Sequence, residues 1–288
     1  MIQIMKVEML VKGHSTWQNR PVLRKNHKYE LYEHAVQDPG EEVKLLRNMY
    51  EHAFRRRPHL FREDFCATFL LAVEWVRLDP KNRAMAIDKD AVPLRYGREK
   101  HLSKLSEDQK RRLTLFKQDV RRVTRPGADI ILSPNFSGLF MKTRRDLLEY
   151  LHACHASLNK SGIMVFDLLG GSEQGGPNQE TRRCRLEDGR RFTYTWEQTD
   201  FNPINHEATY FIHFGFPDGR EMRRAFRYDW RLWSIPEIRE AMVDAGFDST
   251  KVYWEGDEPG GGGNGVFTRT EKAENCASWL AYVVGIKR

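Results

Sequence analysis

Residues 59–90 read HLFREDFCATFLLAVEWVRLDPKNRAMAIDKD, and this stretch decides the fold. Residues 60–65 form a short apolar run broken by charge, residues 68–76 are apolar on nearly every side, and residues 83–87 form a second short apolar run that Asp88 stops. A helix that is apolar all round must lie against a sheet, so the reading is strand, tight turn, buried helix, loop and second strand. In such a βαβ unit a carboxylate ending the second strand is the usual frame for a nucleoside's ribose, because one carboxylate accepts from two vicinal hydroxyls.

The turn is Glu63-Asp64-Phe65-Cys66-Ala67-Thr68-Phe69. It resembles the first motif of the S-adenosylmethionine-dependent methyltransferases with a Rossmann-like fold, where an acid precedes a glycine-rich turn of the form GCGTG. With Cys66 and Thr68 in register, Glu63 falls on the acid, and Phe65, Ala67 and Phe69 occupy the three glycine positions. Glycine permits positive φ, so a turn without it is expected to stay in ordinary φ/ψ space. From about Lys28 to the C-terminus the chain is similar to an uncharacterised bacterial branch of that family. There the turn commonly reads REDFCGT, and the shared FC-x-T frame carries the likeness.

Outward from the turn, helical and strand signals alternate. Residues 28–57 give a short helix, a Pro39-Gly40 break and an amphipathic helix with Val43, Leu46, Tyr50 and Phe54 on one side. A helix over 91–102 and a short polar helix from Ser106 precede TLFKQDV, a third strand reaching Asp119. ADIILSPNFSG, from Ala128, is a fourth strand, and a helix over 143–158 leads to a fifth at 162–169. Five strands alternating with helices specify a doubly wound α/β sheet. Beyond Leu169 comes a Gly-rich link over 170–178, then segments of period two with a Pro-Asp-Gly turn at 217–219, which read as an inserted antiparallel sheet. A helix over 236–245, a sixth core strand STKVYWEG and a closing antiparallel strand AYVVGI follow. The loop DEPGGGGNG is either a plain hairpin connection or a lid. The divisions are 1–27, a mobile or loosely docked arm; 28–169, the cofactor core; 170–233, the insertion; and 234–288, completion of the core sheet.

The resemblance implies S-adenosyl-L-methionine as cofactor. Its contacts would come from the turn residues Glu63, Asp64, Phe65, Cys66, Ala67 and Thr68, and from Asp88 with Lys89 at the ribose. Asp119 with Val120 would meet the adenine, the alternative for Asp119 being a loop cap. Asn135 and Phe136 in the SPNF turn would face the sulfonium; that turn also resembles the D/N/S-P-P-Y/F/W motif of amino-methyltransferases of nucleobases, with Asn135 in place of the second proline. Tyr29 and Tyr32 share one helix face and either cover the cofactor or simply pack their helix onto the domain. The HACH sequence around Cys154 has the period of a sheet-packing helix and no metal role.

A methyl on sulfonium is already electrophilic, so the protein chiefly aligns the reactants. Tyr228, Trp230, Arg231 and Trp254 are the candidate acceptor-pocket residues, against the alternative of aromatics alternating into a core. A hydroxyl acceptor requires a base, with His206, Glu207 and Asp229 as candidates; an amine needs only an orienting carboxylate.

The 288 residues suffice for one large domain or a core with an insertion. The net charge of +7 is compatible with an anionic partner, a plain basic surface being the favoured reading. Four cysteines without a CxxC pair argue against a disulfide framework or zinc site. No apolar run approaches a membrane span, and a cytoplasmic location is expected. The expected activity is methyl transfer to oxygen or nitrogen of a small molecule, with a homodimer through the inserted sheet conceivable and nucleic acid disfavoured. The alternatives are a non-catalytic binding protein on the same fold, a nucleic-acid methyltransferase, and a nicotinamide-dependent oxidoreductase, the last disfavoured because GxGxxG is missing.

Overall fold

The computed structural model describes residues 27–258 and 262–288, so the expected N-terminal arm, apart from His27, lies outside the described residues. The chain opens with α1 (His27–Val36) and α2 (Pro39–Phe54). The Asp38 side chain caps α2 by accepting from the Glu41 N–H, and Pro39 takes a first-turn position where its missing N–H leaves nothing unpaired. The expected break between the two helices falls at residues 37–38, and Pro39-Gly40 begins α2.

The βαβ unit follows as β1 (Leu60–Asp64), α3 (Leu70–Leu78) and β2 (Arg83–Asp88). Next come α4 (Ala91–Lys100), α5 (Glu107–Arg111), β3 (Leu113–Lys117), β4 (Ala128–Ser133), α6 (Arg144–Ser157) and β5 (Leu158–Gly170). The insertion holds β6 (Asn178–Arg185), β7 (Arg191–Asn202), β8 (Glu207–Gly215) and β9 (Glu221–Arg231). The chain closes with α7 (Ile235–Asp244), β10 (Ser249–Asp257), β11 (Gly263–Thr270) and β12 (Trp279–Lys287).

The main sheet has the order β11-β10-β12-β5-β4-β1-β2-β3. β1 to β5 are mutually parallel, β12 is antiparallel to β5, and β10 is antiparallel to β12, so β10 runs with the first five. This is the expected doubly wound sheet with an antiparallel strand near its end, and the four-stranded antiparallel sheet β6-β7-β8-β9 is inserted after β5 as expected. Two strands escape the sequence reading. NQETRRCR of β6 alternates only between half-buried and exposed residues, so it lacks an apolar signal, and β11 is hidden by its glycines.

Because the central strands are covered on both sides, they are apolar throughout. Leu71, Trp75 and Val76 of α3 pack with Phe61, Ala86 and Leu132 on one face; Leu147, Tyr150 and Leu151 of α6 pack with Ile87, Ile131 and Phe166 on the other. Chain order reverses direction between β1 and β4, and the crevice outside their carboxyl ends is where open α/β sheets bind ligands. α1 contributes Leu31 to a smaller core with Phe192, Tyr194, Ile212 and Phe214 of the inserted sheet.

Candidate cofactor and acceptor site

The turn after β1 departs from the expectation of ordinary φ/ψ values. Phe65, Ala67 and Phe69 have φ of 50°, 45° and 52°, so all three glycine positions keep the left-handed conformation with side chains in place. Each costs about 1–2 kcal/mol relative to a right-handed residue. Specific bonds hold the turn there: the Cys66 N–H donates to the Ile87 carbonyl at 3.0 Å, and the Ala67 N–H donates to Asp88 Oδ2 at 2.9 Å. Phe69 is buried in the core on the α3 face of the sheet, and Phe65 packs edge-on to Tyr150 on the opposite face with centroids 5.7 Å apart. The two rings thus leave the backbone of residues 66–68 at the rim.

Glu63 and Asp64, adjacent in sequence, part ways because neighbouring strand residues point to opposite faces. Glu63 Oε2 accepts from the Ala72 N–H at 2.8 Å, and burial pushes its carboxyl well above the usual range. Asp64 corrects its assignment as a cofactor contact: it is fully buried in a fork with Arg62 (2.7 and 3.2 Å) and also accepts from the Tyr150 hydroxyl at 2.9 Å. Of the two acids, Asp64 is the one ion-paired with Arg62.

Asp88 Oδ1 accepts from the Asp90 N–H at 2.8 Å while Oδ2 holds Ala67, and each oxygen retains a lone pair for a hydroxyl. Burial raises its pKa. The Gln118 N–H donates to the Asp88 carbonyl at 3.0 Å, so Asp119 follows directly beside it, two residues beyond β3. Asp119 is forked by its own neighbour Arg121 at 2.8 and 3.0 Å, which holds the carboxyl down at about 2, with the positive charge of the exposed Lys89 helping. Val120 is buried.

The turn after β4 is also left-handed, with φ of 54° at Asn135 and 59° at Phe136. The Phe136 N–H donates to both oxygens of Asp167 at 2.9 Å. Asp167, in β5 and in register with Tyr282 of β12, escaped the sequence reading; its signal is a carboxylate inside the apolar run MVFDLL. Burial pushes the Asp167 carboxyl well up, and in the first turn of α2 burial pushes Glu42 up to about 7. The negative charge of Glu42 in turn raises both Glu63 and Asp167. Among the described residues no cationic side chain is ion-paired with Glu42, Glu63 or Asp167.

The inward face of the inserted sheet is an aromatic wall. Tyr228 stacks on Trp230 at 4.7 Å and Trp196 on Tyr210 at 4.9 Å, while Trp230 meets Phe136 edge-on at 5.9 Å and Phe140 at 6.0 Å. Trp230 is 1% exposed, yet its indole N–H has no partner among the described residues. Tyr32 packs against Phe226 at 5.1 Å, and Tyr29 packs between Tyr96 and Phe226. Burial raises the Tyr29 hydroxyl to about 12, with Asp90 and Asp88 adding to the effect. α1 therefore runs from the vicinity of Asp88 to the aromatic wall.

Strand alternation puts the remaining acceptor candidates elsewhere. Glu207 pairs with Lys142 at 2.7 Å, and Asp229 with Arg227 at 2.8 Å and Thr209 at 3.3 Å; both line an outward polar recess. His206 is exposed in the turn between β7 and β8. None of the three expected bases lies on the aromatic face. Arg231 also faces away from it, stacking on Trp233 at 3.6 Å and pairing with Glu237, and Trp254 packs on Trp279 at 5.0 Å, two strands beyond β5.

No protein-family model and no curated protein matches the chain. Solved structures do match over most of its length. DesVI of Streptomyces venezuelae aligns with a TM-score of 0.68 at 15% identity, over 93% of this chain and 100% of that one. The S-adenosylmethionine-bound amino pentose methyltransferase CalS10 of Micromonospora echinaspora gives 0.64 at 14%, over 93% and 100%. An S-adenosylmethionine-dependent methyltransferase of Clostridium acetobutylicum gives 0.64 at 16%, over 91% and 99%. The chain has the fold of the S-adenosylmethionine-dependent methyltransferases.

Proposed function

We propose that this protein is an S-adenosylmethionine-dependent methyltransferase acting on a small molecule, with nitrogen favoured over oxygen as the acceptor atom. The observation that carries the proposal is the group Glu42, Glu63 and Asp167, carboxylates without a paired cationic side chain among the described residues, beside a left-handed turn clasped by Asp88. Carboxylates raised by burial, and in Glu63 and Asp167 also by the charge of Glu42, are stabilised by a cationic ligand. S-adenosylmethionine fits that requirement and supplies an electrophilic methyl on a sulfonium.

Asp88 would accept from the ribose hydroxyls, Asp119 from the adenine amino group, and the peptides of residues 66–68 would face the cofactor. α1, through Tyr29 and Tyr32, covers the crevice. Tyr228 and Trp230 exclude water and orient the acceptor; orientation of this kind is worth about 7–11 kcal/mol in favourable models. The aromatic faces add about 0.5–2 kcal/mol each towards a cation. Nitrogen is favoured because His206, Glu207 and Asp229 lie off the aromatic face, whereas an amine needs only a carboxylate that orients its neutral form. CalS10, an amino pentose methyltransferase, is consistent with that choice. The FC-x-T frame supports kinship with the REDFCGT-type bacterial branch, and free cysteines at 66, 154, 184 and 276 are compatible with a reducing cytoplasm.

Calorimetric titration with S-adenosylmethionine, S-adenosylhomocysteine and NAD tests this reading. Binding of the first two and not the third is expected; binding of NAD alone, or of none, overturns it.

A further inference from the structure

Arg62 is the largest charged side chain fully buried in the structure, and every guanidinium nitrogen is engaged. Nε and Nη2 fork Asp64; Nη2 also donates to the Val120 carbonyl at 2.5 Å; Nη1 donates to Thr124 Oγ1 at 3.0 Å, Ser157 Oγ at 2.9 Å and the Arg122 carbonyl at 3.4 Å. Three of these partners, Val120, Arg122 and Thr124, belong to the segment between β3 and β4, which has no helix or strand of its own. Stability alone does not account for such an arrangement, since replacing a buried ion pair by well-packed apolar residues is often neutral or stabilising.

The Val120 carbonyl and the Arg121 N–H share one peptide plane. Arg62 holds the oxygen end, and the nitrogen end donates to Asp119 Oδ1 at 2.9 Å. That plane cannot rotate without moving the Asp119 carboxylate, because the peptide is rigid. A lysine at position 62 would lack the planar fork needed to reach Asp64 and Val120 together.

We infer that Arg62 is a positioning residue, clamping the loop after β3 against β1 so that Asp119 stands where it reads the amino group of the cofactor's base. The inference rests on the proposed cofactor reading, and in particular on Asp119 as the adenine-side acid.

Three probes separate placement from general structural support: S-adenosylhomocysteine, S-inosylhomocysteine, which carries an oxo group in place of the amino group, and the 2′-deoxy form of S-adenosylhomocysteine. Wild-type protein should prefer adenine over hypoxanthine by about tenfold or more, the worth of one charge-assisted hydrogen bond. In Arg62→Lys that ratio should fall below about threefold, as in Asp119→Asn, while the preference for the 2′-hydroxyl, set by Asp88, is retained. Affinities that weaken in proportion for all three probes, or a wild type indifferent to the base, overturn the inference. Should Arg62→Lys fail to fold, Ser157→Ala and Thr124→Val each remove one Nη1 partner; an unchanged base ratio in both also overturns it. Failure of S-adenosylhomocysteine to bind wild type counts instead against the proposed function.

Discussion

The ring of Phe69 lies where a side chain on Gly97 would stand: a Cβ at that glycine would fall 2.4 Å from Phe69 Cε1 and 2.4 Å from the Thr68 carbonyl oxygen. The aromatic residue at the third glycine position of the turn is accommodated by a glycine in α4. In an exposed helix Gly→Ala gains about 1 kcal/mol. Here the backbone carbonyl cannot yield, and overpacking costs about 1–3 kcal/mol. Gly97→Ala should therefore lower stability by about 1–2 kcal/mol and weaken cofactor binding, as chemical denaturation and calorimetry would show; an increase in stability would contradict this packing.

Ala67 at φ 45° has the opposite balance, because its side chain is small and its N–H is already held by Asp88. Relief of the left-handed strain gains about 1–2 kcal/mol, and the added freedom of the unfolded chain costs about 0.4–1 kcal/mol. Ala67→Gly should raise the denaturation midpoint slightly without loss of cofactor affinity. A lowered midpoint would mean that the turn is not strained at this residue.

Asp88→Ala removes both the ribose acceptor and the anchor of the Ala67 N–H. Affinity for S-adenosylhomocysteine should fall by about 100-fold, two charge-assisted hydrogen bonds each contributing about 1.5 kcal/mol or more. Unchanged affinity in a titration would remove Asp88 from the site.

Burial raises Glu42 to about 7, whereas an unfolded glutamate titrates near 4.3. Between those values the folded state binds more protons than the unfolded one, so stability falls as pH rises through this window. Relative to Glu42→Gln, the wild type should lose on the order of 1–3 kcal/mol between pH 5 and about 8. Urea denaturation at both ends of the range measures the difference; parallel pH profiles for the two proteins would refute it.

The sequence by itself determined the βαβ unit, the five-strand alternation, the closing antiparallel strand and the insertion after β5. Each rests on local periodicity, and residues 68–76 or AYVVGI have few other places to lie. It also marked Asp88, which ends β2, the strand beside β1. Only the tertiary structure decided what depends on partners distant in the chain. Phe65, Ala67 and Phe69 adopt positive φ because Ile87, Asp88 and Gly97 hold or admit them, and composition alone argued the reverse. Glu63 and Asp64 differ in role because a strand sends adjacent side chains to opposite faces, one to the Ala72 N–H and the other to Arg62. The same alternation, with the pairing of β8 to β9, sends Trp230 inward and Asp229 outward. Asp167 feels the charge of Glu42 only because β5 and α2 meet, a proximity that no spacing along the chain encodes.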